Sequence, residues 1–329
     1  MKMVSVLMSV YNENKEEVVQ SITSLVEQTY EDIEIIIVID NPAKTEFYKK
    51  IIQQFKDDRI RILINEENIG LAQSMNRAAE VANGKYLMRM DADDISELNR
   101  IAVEIEYLKN NTDVKLVCAD YIYIDENGKK IGESNYSDLN DQSIVETLPW
   151  KNCIHHPTVM MDKKVFVDLG GYRDFPCAQD YDLWLRFLTG KYRIHYLNNI
   201  ILRYRVRRNS VTSKNKVRQL FTAWYIQTLF FERLKRGKDS YSKENLIHYC
   251  EKKGFDENLN NDYWMYLNDI NQLVSKLKKR ISVLVFIKLL YYLIKSKVFR
   301  MIYSHVIVNK IKMLHYKIFS KKFVLHEFY

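Results

Sequence analysis

The N-terminal third of the chain alternates between short unbroken apolar runs and longer stretches with helical spacing. Val4 to Val10 is an apolar run of strand length, Glu16 to Glu27 puts Val18, Val19, Ile22, Leu25 and Val26 on one helical face, and Ile33 to Ile39 is a second β-rich run. A helix between two apolar strands is a βαβ unit. The alternation continues with a helix from about Glu46 to Phe55, a strand at Ile60 to Ile64, a helix from about Ala72 to Val81 and a strand at Lys85 to Met90. This order predicts an α/β domain built on a Rossmann-like, mostly parallel sheet flanked by helices, with a ligand crevice at the strand ends.

At the end of the last of these strands stands Asp91-Ala92-Asp93-Asp94, and a helical pattern begins near Ser96. Carboxylates crowded in a partly dry site repel one another and raise each other's pKa. A hard divalent cation relieves that repulsion. Magnesium or manganese is commonly held by one or two carboxylates and completes its shell with water and substrate phosphates. Asp-x-Asp in isolation also suits a helix cap; its place after several strand–helix alternations favours the metal, with Asp93 and Asp91 as candidate ligands.

The first strand leads into Tyr11-Asn12-Glu13 and the second into Asp40-Asn41-Pro42. Tyr11 can stack on a base and Asp40 can accept from a ring N–H, or both can serve turns. No Gly-x-Gly-x-x-Gly follows the first strand and no Gly-Lys-Ser or Gly-Lys-Thr occurs, which argues against a dinucleotide oxidoreductase and a P-loop nucleotidase.

Taken in order, these segments resemble the family 2 glycosyltransferases of bacterial polysaccharide type, enzymes with the GT-A fold, from about Val4 to about Arg208. The resemblance rests on SVLMSVYN at 5–12, EIIIVID at 34–40, Asn68-Ile69-Gly70-Leu71 with Asn76, Gly84-Lys85-Tyr86 and the Asp91–Asp94 cluster. Downstream it rests on His156-Pro157-Thr158, Gly170-Gly171-Tyr172 and the segment Gln179 to Arg186. It implies a nucleoside diphosphate sugar as donor, with Val10, Tyr11, Glu13 and Asp40 at the base and ribose, Asp91 at ribose or metal, and Asp93 on the metal. It implies a catalytic base in a Glu-Asp pair, matched here by Gln179-Asp180, so that Asp180 takes the proton of the acceptor hydroxyl; Asp182 is the second candidate. His156 and Trp184 become candidate sugar or acceptor contacts. Tyr204-Arg205-Val206-Arg207 resembles a segment that often ends in histidine; with arginine in its place, Arg205 or Arg207 can clamp the diphosphate through a planar fork, or can form a solvated basic strand end.

Charge and composition add the setting. The chain has 50 Lys+Arg against 42 Asp+Glu, net +8, and the excess is uneven: between Lys276 and Tyr329 the only acid is Glu327. That asymmetry points to an anionic partner surface. After Ser213 the pattern turns helical, giving a catalytic domain at 1–212 and a basic helical extension at 213–329. Phe221, Trp224 and Tyr225 form a stripe that reads as packing on the catalytic domain, and the apolar-basic segments from Ile281 to Val324 suit interfacial helices or a closing bundle. Ile281 to Ile294 is interrupted by Lys288 and is shorter than the roughly 20 residues that span a bilayer. The N-terminal apolar run is too short for a signal peptide. Cys118, Cys153, Cys177 and Cys250 lack zinc spacing and read as reduced thiols.

The reading is an inverting, metal-dependent transfer of a sugar, with a UDP-sugar the expected donor, to a glycan or lipid-linked acceptor in cell-surface polysaccharide synthesis. The enzyme is expected in the cytoplasm, peripheral on the inner face of the membrane, with no nucleic-acid partner. Transfer to a polyprenyl phosphate, a nucleotidyltransferase and a non-catalytic nucleotide-sugar-binding module are the alternatives; the absence of glycine between Ser9 and Lys15 counts against the second.

Overall fold

The structure, a computed structural model, describes residues 3–134, 140–207, 215–279 and 283–320. The chain forms two compact units, Met1–Arg208 and Asn209–Tyr329. The boundary expected at residue 212 and the tail segments 280–282 and 321–329 lie outside the described residues.

The first unit begins as the apolar pattern predicts, with β1 (Val4–Val10), α1 (Lys15–Val26), β2 (Ile33–Ile39), α2 (Thr45–Ile52), β3 (Ile60–Ile64), α3 (Gly70–Val81) and β4 (Tyr86–Asp91). It continues with β5 (Ile95–Ser96), α4 (Arg100–Asn110), β6 (Val114–Ile124), β7 (Lys130–Glu133), α5 (Asp141–Thr147), β8 (Met160–Asp162), α6 (Lys163–Asp168), α7 (Gln179–Thr189) and β9 (Arg193–Arg205). The helix expected near Ser96 starts later, at Arg100, because Ile95 and Ser96 pair antiparallel with Arg203 and Leu202 of β9. Asn14 opens α1 with a capping box: its side chain accepts from Glu17 N, and the Glu17 carboxylate accepts from Asn14 N, both at 2.9 Å.

The strands form one sheet in the order β3-β2-β1-β4-β8-β6-β9-β5, with β7 on β6. β3, β2, β1 and β4 are parallel, as are β6 and β9, while β8 runs antiparallel between β4 and β6. All of β2 and all of β1 except Ser9 are buried, which is why both strands read as continuous apolar runs. The register decides what meets at the strand ends. Val10 lies beside Ile39, and Ser9 lies beside Asp91, so the residues following β1, β2 and β4 gather at one edge.

The second unit holds α8 (Lys216–Arg236), α9 (Lys243–Lys252), α10 (Leu259–Lys279), α11 (Val283–Lys295) and α12 (Lys297–Ser320). Its own core joins Val217, Phe221, Trp224, Leu259 and Val298. The aromatic stripe of α8 packs within this unit: Trp224 stacks on His305 at 4.3 Å and Tyr225 lies 5.4 Å from Tyr249. Phe299, apolar and beside Arg300, is buried against the parallel ring of Tyr263 at 5.6 Å. On α11, Ile287, Leu290, Tyr291 and Ile294 are exposed together with Lys288 and Lys295. Among the described residues no helix is long and apolar enough to cross a membrane.

Candidate active site

The edge formed by β1 and β2 is built from short-range hydrogen bonds. Tyr11 is 40% exposed, and its N–H donates to Glu13 Oε2 at 2.7 Å. Asn41 Nδ2 donates to Tyr11 O at 2.7 Å, and Tyr48 OH donates to Glu13 O at 3.1 Å, so both turns are tied to one another. An aromatic face is thereby left open beside a fixed carboxylate. Val10, expected at the base or ribose, has a side chain with no exposed surface, and its carbonyl accepts from Asp40 N at 2.9 Å. Asp40 is also more structural than its motif suggests. Its carboxylate accepts from Asn65 Nδ2 at 2.7 Å, Ile69 N at 3.0 Å and Gly70 N at 3.0 Å, closing the start of α3 across from β2. Gly70 has φ +81°, a conformation that favours glycine and lets its N–H reach that carboxylate.

The acid cluster at the end of β4 divides into three roles. Asp91 is paired with Arg89, two residues back and therefore on the same face of the strand. Asp93 lies 2.8 Å from Arg207 Nη2, which is also 3.0 Å from Glu17 Oε2 of α1. Burial and the neighbouring Asp91 charge push the Asp93 carboxyl up to about 7, while Arg207 opposes them. Asp94 is fully buried and accepts from Arg205 N at 2.8 Å, fastening the loop to the end of β9; burial drives its carboxyl well above the usual range.

Arg205, expected as one of two diphosphate clamps, is hydrogen-bonded within the fold. Its guanidinium donates to the carbonyls of Asp93 (2.8 Å), Asp125 (3.1 Å) and Glu126 (2.9 Å) and to Gln20 Oε1 (2.6 Å). Only Arg207 of that pair faces the acid cluster with its charge. Asp91 and Asp93 thus present two carboxylates, each opposed by one guanidinium. Among the described residues no group of three or more His, Cys, Asp and Glu side chains is arranged to hold a metal ion. Two carboxylates are nevertheless the sparse donor set with which magnesium or manganese binds when phosphates and water supply the remaining oxygens.

Across the sheet, Asp180 sits in the first turn of α7. The residue before this helix, Ala178, has φ +59°, a left-handed conformation costly for a residue with a Cβ. Asp180 Oδ2 accepts from Asn152 Nδ2 at 2.9 Å; burial raises its carboxyl and this hydrogen bond acts against the rise. Asp182, the second candidate base, is fully buried and receives Arg186 Nε at 2.8 Å, while Arg186 Nη2 donates to Gly171 O at 2.7 Å. Through Arg186 it braces the turn at Gly171. Trp184 has no exposed surface and packs edge-to-face on Phe187 and His156 within the core. His156 shares a 2.8 Å hydrogen bond with Tyr172 OH, and burial holds its ring well below the usual histidine range. It thereby meets Tyr172 at its hydroxyl. The same tyrosine is clasped by Asn76, whose Nδ2 donates to Tyr172 O and whose Oδ1 accepts from Tyr172 N, both at 2.8 Å. Asn76 and Gly170-Gly171-Tyr172 are therefore two halves of one joint.

Three residues near the site stand outside the sequence-level set: Arg89, Asn152 and His155. Arg89 is legible in retrospect, since strand periodicity puts it beside Asp91. His155 stacks on Tyr121 at 4.1 Å and meets Tyr204 edge-on at 4.5 Å; burial lowers its ring to about 4, so it is neutral at pH 7. Nothing in the sequence around Asn152 distinguishes it from a loop asparagine.

Comparison with known proteins adds an independent line. The sequence profile of Glycosyl transferase family 2 matches residues 5–170. An uncharacterised glycosyltransferase of Methanocaldococcus jannaschii is 34% identical over 69% of this chain and 79% of its own length. The O-antigen biosynthesis glycosyltransferase WbnJ of Escherichia coli is 34% identical over 76% of this chain and 96% of its own. Among solved structures, the mannosyltransferase PcManGT from Pyrobaculum calidifontis, in complex with GDP-Man and Mn2+, superposes with a TM-score of 0.58. That match covers 93% of this chain and 86% of the other at 16% identity, a likeness of fold.

Proposed function

As the chain belongs to glycosyl transferase family 2, we propose that it moves a sugar, with inversion, from a nucleoside diphosphate donor to a hydroxyl of a glycan or lipid-linked acceptor in cell-surface polysaccharide synthesis. The observation that carries this reading is the sheet register. It sets Tyr11, Glu13 and the Asp91–Asp93 pair along one edge, while Tyr172 lies within electrostatic reach of both Asp91 and Asp180. Base, diphosphate, sugar and acceptor can then lie in sequence across the strand ends, as an in-line displacement requires.

The exposed ring of Tyr11 would stack on the nucleoside base, and Glu13 would reach the ribose. Asp93 and Asp91 would hold a divalent cation, manganese or magnesium. When bound, such a cation supplies positive charge against the diphosphate that departs. Arg207 faces the same carboxylates and would turn its fork to the diphosphate oxygens. Asp180 would take the proton from the acceptor hydroxyl as its oxygen bonds to the anomeric carbon and the bond from that carbon to the diphosphate breaks. The basic, partly apolar surface of α11 and α12 supports placement at an anionic membrane face.

Titration calorimetry with a panel of nucleotide sugars and manganese tests the donor assignment. At least one donor is expected to bind and to be transferred, and Asp93→Ala is expected to abolish transfer and the metal-dependent part of donor affinity in a folded protein. Unchanged metal-dependent affinity in that variant would remove Asp93 from the site.

A further inference from the structure

Arg89 carries chemistry that the transfer reaction as described does not use. Its side chain is 2% exposed, on β4 two residues before Asp91, and one terminal nitrogen, Nη2, is paired with Asp91. Nε and Nη1 are buried and have no hydrogen-bond partner among the described residues. A buried guanidinium with two idle nitrogens is costly, because those N–H groups have left water without replacing its hydrogen bonds. A native fold keeps such a group where a ligand or an ordered water completes it.

The surroundings indicate which ligand. Arg89 lies within electrostatic reach of Asp91, Asp94, Tyr172, Asp180, His155 and His156. The carboxylates assigned to the diphosphate and the carboxylate assigned to the acceptor proton are both within that reach, and so is the interval that separates them. In an in-line displacement the donor's sugar ring occupies that interval. Its hydroxyl oxygens are acceptors, which is what an arginine, with donors only, requires. The neighbouring histidines are held neutral and do not compete as cations.

We propose that Arg89 binds the sugar of the nucleotide-sugar donor, donating from Nε or Nη1 to a sugar hydroxyl while Nη2 keeps Asp91 in place. The proposal rests on the glycosyltransferase reading above and adds to it the residue that reads the sugar. A counter-ion serving only Asp91 would affect nucleotide and nucleotide sugar alike; a sugar contact affects only the second.

The test compares affinities of the full chain with manganese for UDP, UDP-GlcNAc, UDP-glucose, GDP and GDP-mannose. Arg89→Lys keeps a cation beside Asp91 and loses the fork. It is expected to weaken the preferred nucleotide sugar roughly 10–100-fold while changing its nucleoside diphosphate less than about threefold, the range for losing a hydrogen bond to a charged group. Arg89→Met removes the partner of Asp91 as well as the fork, so it is expected to melt lower than wild type and to weaken the nucleoside diphosphate too, with the nucleotide sugar weakened further by the factor seen in Arg89→Lys. Equal weakening of nucleotide and nucleotide sugar, or no weakening of either, would overturn the sugar contact and leave Arg89 a support for Asp91. A wild-type chain that binds nucleoside diphosphates but gains nothing from an attached sugar would overturn the donor reading and this proposal together. A wild-type gain that survives in Arg89→Lys overturns this proposal alone.

Discussion

Asp180 and its neighbour Asn152 show how much of a site is held in single hydrogen bonds. Burial raises the Asp180 carboxyl, and the 2.9 Å bond from Asn152 Nδ2 favours its charged form. A general base works deprotonated, so the acidic limb of the pH–rate profile follows its pKa. Asp180→Asn is expected to lower transfer by roughly 10²–10⁴-fold with donor affinity near wild type. Asn152→Ala removes the opposing bond, so the acidic limb of kcat/KM is expected to move to higher pH. An unmoved limb in Asn152→Ala, or normal rates in Asp180→Asn, would take Asp180 out of the role of base.

At the scale of elements, the site depends on close contacts that place strand ends. The turn from α3 into β4 passes Gly84, whose N–H donates to Ser5 Oγ at 2.8 Å while Ser5 Oγ donates to Glu34 at 2.6 Å. A Cβ at Gly84 would lie 2.5 Å from Ser5 N and 2.8 Å from Val4 C, both backbone atoms. Gly84→Ala is therefore expected to destabilise the fold by roughly 1–3 kcal/mol in denaturant titration, through displacement of β4 from β1. Below β4, Arg100 and Glu104 form a fully buried pair at 3.2 Å, and Arg100 also donates to Arg89 O at 3.1 Å. Burial pushes the Glu104 carboxyl up to about 7 from 4.5, outweighing Arg100. The folded chain then keeps a proton that the unfolded chain has released. The stabilising contribution is full below about pH 4.5 and is lost as pH rises through about 7. Thermal unfolding across that window is expected to show a steeper decline for wild type than for Glu104→Gln; parallel curves would contradict it.

For the whole molecule, the charge asymmetry makes a prediction of its own. Basic side chains near an anionic leaflet contribute about 1 kcal/mol each, screened over roughly 8 Å at physiological salt. On the described part of the tail, Lys288, Lys295, Lys297, Arg300 and Lys310 are exposed beside exposed Ile287, Leu290, Ile294 and Val306. The full chain is expected to sediment with vesicles containing anionic lipid, to be partly released by high salt, and to bind neutral vesicles less. Equal binding to both kinds of vesicle would remove the charge from the attraction, and binding to neither would make these helices a packing element only.

What the sequence determined by itself is the alternating α/β half, the family and the Asp91–Asp93 cluster. Those follow from local periodicity and from short motifs, and a strand buried on both faces is apolar wherever it lies. Tertiary structure alone decided which partners each polar residue near the strand ends meets. Asp40, Asp94, Asp182 and Arg205 carry the same groups as Glu13, Asp93, Asp180 and Arg207, but the first four join α3, β9 and, through Arg186, the Gly171 turn, whereas the others meet Tyr11, one another and Asn152. Such engagement pairs residues far apart in the chain, Arg205 with Asp93 and Asn152 with Asp180 among them. No local spacing encodes it, because a carboxylate's role is set by the donors that folding brings to it.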